Sequence, residues 1–294
     1  MLLQHYKNIL CRTILLLQII GCFFVIPAIG KNVFPTEKKI ITAGGEITEI
    51  VCALGDCDKI IAIDRMSNYP SKVLSLPSIG YRGSINAEGI IALQPDLVLV
   101  KEGYVKDEVI AQLKSTDIDI RSFKNENNIQ STKKLIREIA QILGRESQGE
   151  KLINDLDKQL VALKKLVRGV SSKPKLVFVY ARGSGTINIA GKGTFAEAIS
   201  TMVNAELATP EVQGYKPLNT EALVKADPDF LVFFHAGLKS IGGIPGALKI
   251  PGVAQTTAGK FENIVSIDGV KLALFGPRIV EAAEELALLI HPNK

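Results

Sequence analysis

A tyrosine and an arginine stand side by side in a loop framed by glycines, Gly80-Tyr81-Arg82-Gly83. A phenol that loses its proton is a hard, anionic oxygen donor. A guanidinium offers a planar fork of donors for carboxylates. Such a loop is a poor place for a core residue, so Tyr81 reads either as a surface aromatic or as a ligand-facing group. The residues alone leave both readings open. Other groups of interest fall at the carboxyl ends of predicted strands, where open α/β sheets meet their ligands. They are Gly44-Gly45-Glu46, Lys101-Glu102-Gly103-Tyr104 and His235-Ala236-Gly237, with Gly214-Tyr215 in a further loop.

Enzymatic patterns are missing from the sequence. There is no G-x-S-x-G nucleophile elbow. The run Gly185–Gly193 has one spacer too many for a phosphate-binding loop, and no Ser or Thr follows Lys192 to meet magnesium. It reads better as a strand end followed by a helix start, with Thr194 as N-cap and Glu197 closing a capping box. The chain has three histidines. His5 falls in the leader and His291 near the end, so His235 alone lies within the fold, and a zinc site built from several histidines is not expected. We therefore expect no enzyme.

Elements that must position these residues begin after a leader. Lys7 and Arg12 precede an apolar run, and Ala28-Ile29-Gly30 follows, which is the pattern of a secretory signal peptide over residues 1–30. The run is shorter than the roughly 20 residues a membrane-spanning helix needs. Ile19-Ile20-Gly21-Cys22 also resembles a lipobox, but cleavage there would leave Phe23-Phe24-Val25-Ile26 beside the lipid. Soluble export to the periplasm is the expected outcome, with a lipid-anchored form as the alternative. The formal net charge of +5 is too small to argue for nucleic acid. Export permits a disulfide, and Gly55 ends a predicted helix between Cys52 and Cys57, so a local bridge is preferred over free thiols or a thiolate metal site.

Short apolar strands alternate with helices on either side of one long amphipathic segment. Strands are predicted at 39–43, 60–64, 97–100 and 118–123, and again at 176–180, 186–190, 230–234 and 264–267. Between them, Leu152, Leu156, Leu160, Leu163 and Val167 recur at helical spacing across Glu146–Val167. The expected organisation is an N-terminal α/β lobe (31–144), a connecting helix (145–170) and a C-terminal α/β lobe (171–294). The lobes share a segment. INAEGIIALQPDLVLV, from residue 85, aligns without a gap with LNTEALVKADPDFLVF, from residue 218. Asn86 pairs with Asn219, Glu88 with Glu221, and Pro95-Asp96 with Pro228-Asp229. A repeat of this kind makes the lobes pseudo-equivalent, with a ligand cleft between them.

The stretches ITAGGEITEIVCALG, PSIGYRGSINAEGIIALQPDLVLV, AGKGTFAEAI, GYKPLNTEAL and DGVKLALFGPR closely resemble the haem-binding periplasmic proteins of bacterial ABC importers. The resemblance covers nearly all of the chain beyond the leader. It implies two Rossmann-like lobes, one long connecting helix, haem in the cleft as transported ligand, and Tyr81 as the axial iron ligand. Phenolate is an attested haem ligand. A free tyrosine titrates near about 10, so a nearby cation must help the iron favour the phenolate. Arg82 is a candidate for that role or for a haem propionate. Many relatives place their arginine two residues after the tyrosine, where this chain has Gly83. Tyr215 and His235 are candidate further contacts. The resemblance also implies that Glu88 and Glu221 pair with arginines on the two subunits of a permease dimer, one acid per lobe. The protein is expected to act as a monomer. A ferric siderophore or cobalamin on the same fold is the alternative cargo.

Overall fold

The computed structural model describes residues 38–292 apart from 171, 172 and 184. The expected signal peptide and Cys22 lie outside the described residues. Beyond them the chain folds into two α/β lobes flanking one long helix.

In the first lobe, β1 (Ile40–Ala43), β2 (Ile60–Ile63), β3 (Leu97–Lys101) and β4 (Asp119–Phe123) form a parallel sheet in the order β2-β1-β3-β4. The central strands β1 and β3 are apolar on both faces because both faces are covered. On one side, α1 (Gly45–Ala53) and α4 (Ile129–Leu143) pack Ile47, Ile50, Leu135 and Ile139 onto the sheet. On the other, α2 (Ala87–Ile91) and α3 (Asp107–Lys114) bring Ile90 and Leu113. Cys52 and Cys57 are joined, as their spacing suggested. The turn they close carries buried Asp56, which accepts bonds from Arg145 Nη2 (2.7 Å) and Nε (3.1 Å), tying α1 to the end of α4.

The connecting helix α5 (Glu146–Val167) keeps its predicted bounds. At 1.5 Å per residue it is about 33 Å long. Ile153 lies in the core of the first lobe, whereas Leu156 and Leu163 lie in the core of the second. The helix is thus part of both lobes rather than a free tether.

The second lobe holds β5 (Lys175–Ala181), β6 (Ile187–Ala190), β7 (Glu206–Leu207), β8 (Tyr215–Pro217), β9 (Phe230–Phe234) and β10 (Ile264–Ile267). Its sheet runs β10-β9-β5-β6-β8, with β7 beside the start of β5. It is mixed rather than parallel throughout, because β6 and β8 run antiparallel to their neighbours. Tyr215 therefore sits on an edge strand, not in a loop. Helices α6 (Phe195–Met202), α7 (Thr220–Ala226), α8 (His235–Ser240), α9 (Gly243–Leu248), α10 (Thr257–Lys260), α11 (Gly269–Ala273) and α12 (Ile279–Ile290) complete the lobe. At α6, Thr194 caps Ala196 N–H, and Glu197 reaches one residue further back than a capping box requires, to Gly193 N–H.

The repeat extends into three dimensions. Asn86 and Asn219 each cap their helix by accepting from the backbone N–H three residues on, both at 2.8 Å. Each such cap contributes about 1 kcal/mol. In each copy the residue directly before the Pro-Asp pair has positive φ, Gln94 (50°) and Asp227 (42°). Asp96 then accepts from Lys39 N–H at 2.7 Å, and Asp229 from Lys175 N–H at 2.8 Å. Each aspartate braces the entry to its lobe's central strand, so β1 and β3 correspond to β5 and β9.

Candidate ligand-binding cleft

The loop holding Tyr81 is closed on itself and pinned at both ends. Gly80 has φ 110°, a conformation only glycine adopts freely, and its carbonyl accepts from Arg65 N–H at 2.9 Å. Ser84 Oγ donates to Tyr81 O at 2.7 Å, and Gly83 N–H donates to Tyr104 O at 3.0 Å. Tyr81 is half-buried and Arg82 exposed. The guanidinium carbon of Arg82 lies 6.0 Å from the Tyr81 ring centre and 5.7 Å from that of Tyr104. Cation–π attraction to two rings orients Arg82 without engaging its donor fork.

Beneath this loop lies a buried ion pair. Glu46, in the first turn of α1, is fully buried, and its Oε1 is 2.5 Å from Lys101 Nζ. Lys101 is therefore a neutralised cation rather than the free basic group suggested by its place at a strand end. Its ammonium lies 5.5 Å from the Tyr104 ring. Tyr104 is itself buried, and burial followed by the negative charges of Glu46 and Asp64 pushes its phenol well above the ordinary range. It keeps its proton and serves as a wall.

From the second lobe come Tyr180, Arg182 and Tyr215. Tyr180 is the penultimate residue of β5, and its ring packs edge-on against Phe234, which lies tilted against Phe195. The Arg182 guanidinium lies 5.2 Å from the Tyr180 ring centre. Its pKa is raised first by the side chain of Tyr81, then by the charge of Tyr180. Arg182 therefore faces the tyrosine of the other lobe. Tyr215 remains 55% exposed. Desolvation between the lobes raises its phenol, against the pull of the Arg82 charge. Tyr81 and Arg82, singled out in the sequence, therefore lie beside Tyr104, and Arg182 and Tyr215 of the second lobe are close enough to feel their charges.

His235 opens α8, is exposed, and has Nδ1 2.9 Å from Ser266 Oγ on β10, on the far side of β9 from Tyr180. Lys192 is exposed at the start of the loop leading to α6. Glu88 and Glu221 are exposed in the first turns of α2 and α7 and take no part in the cleft cluster. A groove of about 810 Å³ between α4, α5 and α6 contains none of these residues. No cluster of His, Cys, Asp and Glu suited to a metal ion occurs among the described residues.

Sequence reading passed over Tyr180 and Arg182. The signal was available: Tyr180-Ala181-Arg182 ends a predicted strand, the same kind of position that drew attention to Lys101 and His235.

Two lobes on one long helix, with the cleft between strand ends, are the architecture of a substrate-binding protein. The chain belongs to the periplasmic binding protein family, whose model matches residues 40–270. The apo form of the periplasmic heme-binding protein RhuT from Roseiflexus sp. RS-1 superposes with a TM-score of 0.84 at 31% identity, covering 87% of this chain and 98% of that one. An uncharacterized ABC transporter substrate-binding lipoprotein of Bacillus subtilis, YvrC, is 28% identical over 87% of this chain and 81% of its own length. A vitamin B12-binding protein of Vibrio parahaemolyticus is 26% identical over 67% of this chain and 70% of its own. No helix among the described residues is long and apolar enough to cross a membrane.

Proposed function

We propose that this protein captures haem in the inter-lobe cleft and delivers it to an ABC importer. The observation that carries the proposal is Tyr81 in its pinned loop, with the Arg82 guanidinium 6.0 Å from its ring centre, and the influence of Tyr81 on Arg182 of the other lobe supports it. Ferric iron prefers an anionic oxygen donor, and a guanidinium facing the phenol complements the charge of an iron-bound phenolate. Tyr104, Tyr180 and Tyr215 supply aromatic walls suited to a planar macrocycle. Arg82, exposed at the cleft edge, is placed to pair with a propionate. The likeness to RhuT supports the same cargo.

The docking partner is a permease dimer. Glu88 and Glu221 occupy matched positions in the two lobes, each beside a helix N-cap. Two such acids suit a partner with twofold symmetry, and two weak surface ion pairs acting together gain from effective concentration. The protein would work as a monomer in the periplasm, freely or tethered at Cys22.

Cobalamin is the competing cargo, favoured by the vitamin B12-binding relative. Parallel titration with hemin and cyanocobalamin separates the two. Haem capture predicts an absorbance change typical of high-spin ferric haem with hemin and no thermal stabilisation by cyanocobalamin. The reverse pattern overturns the assignment, since a bound ligand raises stability by mass action.

A further inference from the structure

Two lobes sharing one helix would be free to rock if nothing else joined them. In this protein the segment Leu274–Arg278, between α11 and α12, is strapped to the first lobe. Asn125 Nδ2 donates to Leu274 O (3.1 Å) and Phe275 O (3.3 Å), and Thr132 Oγ1 donates to Phe275 O at 2.7 Å. Gly276 lies so close to α1 that a Cβ there would sit 3.3 Å from Glu46 Cβ and 3.2 Å from Glu49 Oε2. Arg278 then grips Glu49 with two bonds, Nη2 to Oε1 at 2.5 Å and Nε to Oε2 at 3.1 Å. The guanidinium carbon lies 3.6 Å from the Tyr69 ring centre. The two side chains are only 14% and 5% exposed. A buried pair of this kind is costly to break on one side, because the survivor is left without a partner.

The strap is connected to the cleft. Glu49 and Glu46 lie one turn apart on α1. Glu46 holds Lys101, Lys101 lies against Tyr104, and Tyr104 orients Arg82 and anchors the Tyr81 loop. Packed contacts of this sort can carry a change in lobe angle to a ligand site.

We infer that Glu49 and Arg278 form a latch that fixes the angle between the lobes, and so act as positioning residues for the ligand without touching it. The effect on haem affinity rests on the proposed function, whereas the effect on lobe geometry does not.

The test uses the full chain with spin labels on ketone-bearing amino acids in place of the exposed Lys114 and Lys249, one in each lobe. Three variants are compared with the parent. Glu49→Gln and Arg278→Lys each weaken the pair, and the double change Glu49→Met with Arg278→Met removes both charges while leaving no orphan. The parent should give one narrow inter-lobe distance. Glu49→Gln and the double variant should broaden or shift it, and Arg278→Lys should lie between them and the parent. Hemin affinity should fall about tenfold in the broadened variants, with the absorbance bands of the bound form unchanged. A folded double variant with the parent's distance distribution overturns the latch, whatever hemin does. Affinity equal to the parent's alongside a broadened distance overturns the link from latch to ligand. Failure of the parent itself to bind hemin overturns the haem reading and leaves the distance comparison to decide the latch.

Discussion

Arg182, just past the central strand of the second lobe, faces the side chain of Tyr81 in the first, which is the largest influence raising its pKa. The residue next to Tyr81 in sequence, Arg82, instead lies between the rings of Tyr81 and Tyr104. The two arginines nearest the Tyr81 ring and phenol thus come from different lobes.

From this division of labour, Arg182→Gln should weaken hemin binding by about tenfold, the loss of one charge-assisted hydrogen bond. It should also move the alkaline transition of the bound form, because the phenolate loses its cation. Arg82→Gln should cost affinity without moving that transition. A pH titration of the absorbance bands in the two variants distinguishes these roles.

Charge reversal at both Glu88 and Glu221 should abolish import in cells while hemin affinity of the purified protein stays at the parent value. Each single reversal should give a partial loss, since one ion pair remains. Reduced hemin affinity in the double variant would place these acids in the cleft instead.

The acid branch of stability should trace to Asp56. Burial alone would raise its carboxyl, but hydrogen bonds from Arg145 and Lys59 and their charges outweigh it and hold the group below the ordinary 3.8. A depressed acid contributes stability that is fully present above the unfolded value and is lost as pH falls through the folded one. Asp56→Asn should therefore cost about 1 kcal/mol at neutral pH, because its cations Arg145 and Lys59 stay partly solvated, and the difference should shrink once the pH drops below 3.8. Glu49 carries the opposite sign. Burial raises it above 4.5 despite the bond and charge of Arg278. Its contribution is fully present below the unfolded value and declines as pH rises through the folded one. Urea unfolding of the parent and Asp56→Asn across this range checks the assignment.

Much of the architecture was legible because it is periodic. The leucine spacing of α5 gave its bounds, and short apolar runs gave the central strands. The shared segment gave the pseudo-equivalence of the lobes, because its Asn caps and Pro-Asp braces do the same work twice. Helices α8 to α11 were not legible. At four to six residues each, they are too short for a period to emerge. Strand β8, with three exposed residues, has no alternation to detect. In the cleft, Tyr81, Arg82 and Tyr215 stood out through their glycine neighbours. The pairing of Arg182 with Tyr81, and the neutralising of Lys101 by Glu46, depend on how distant segments meet. No local pattern carries that information.

The most direct measurement is an absorbance titration of the exported protein with hemin, run beside Tyr81→Ala and Tyr81→Phe. Haem held by the Tyr81 phenolate predicts a saturable complex with the charge-transfer band of high-spin ferric haem. Both variants should lose that band, and affinity should drop at least tenfold, since even one charged bond contributes that much. Variants that bind hemin as tightly as the parent, with the same band, would contradict the assignment of Tyr81 as the iron ligand.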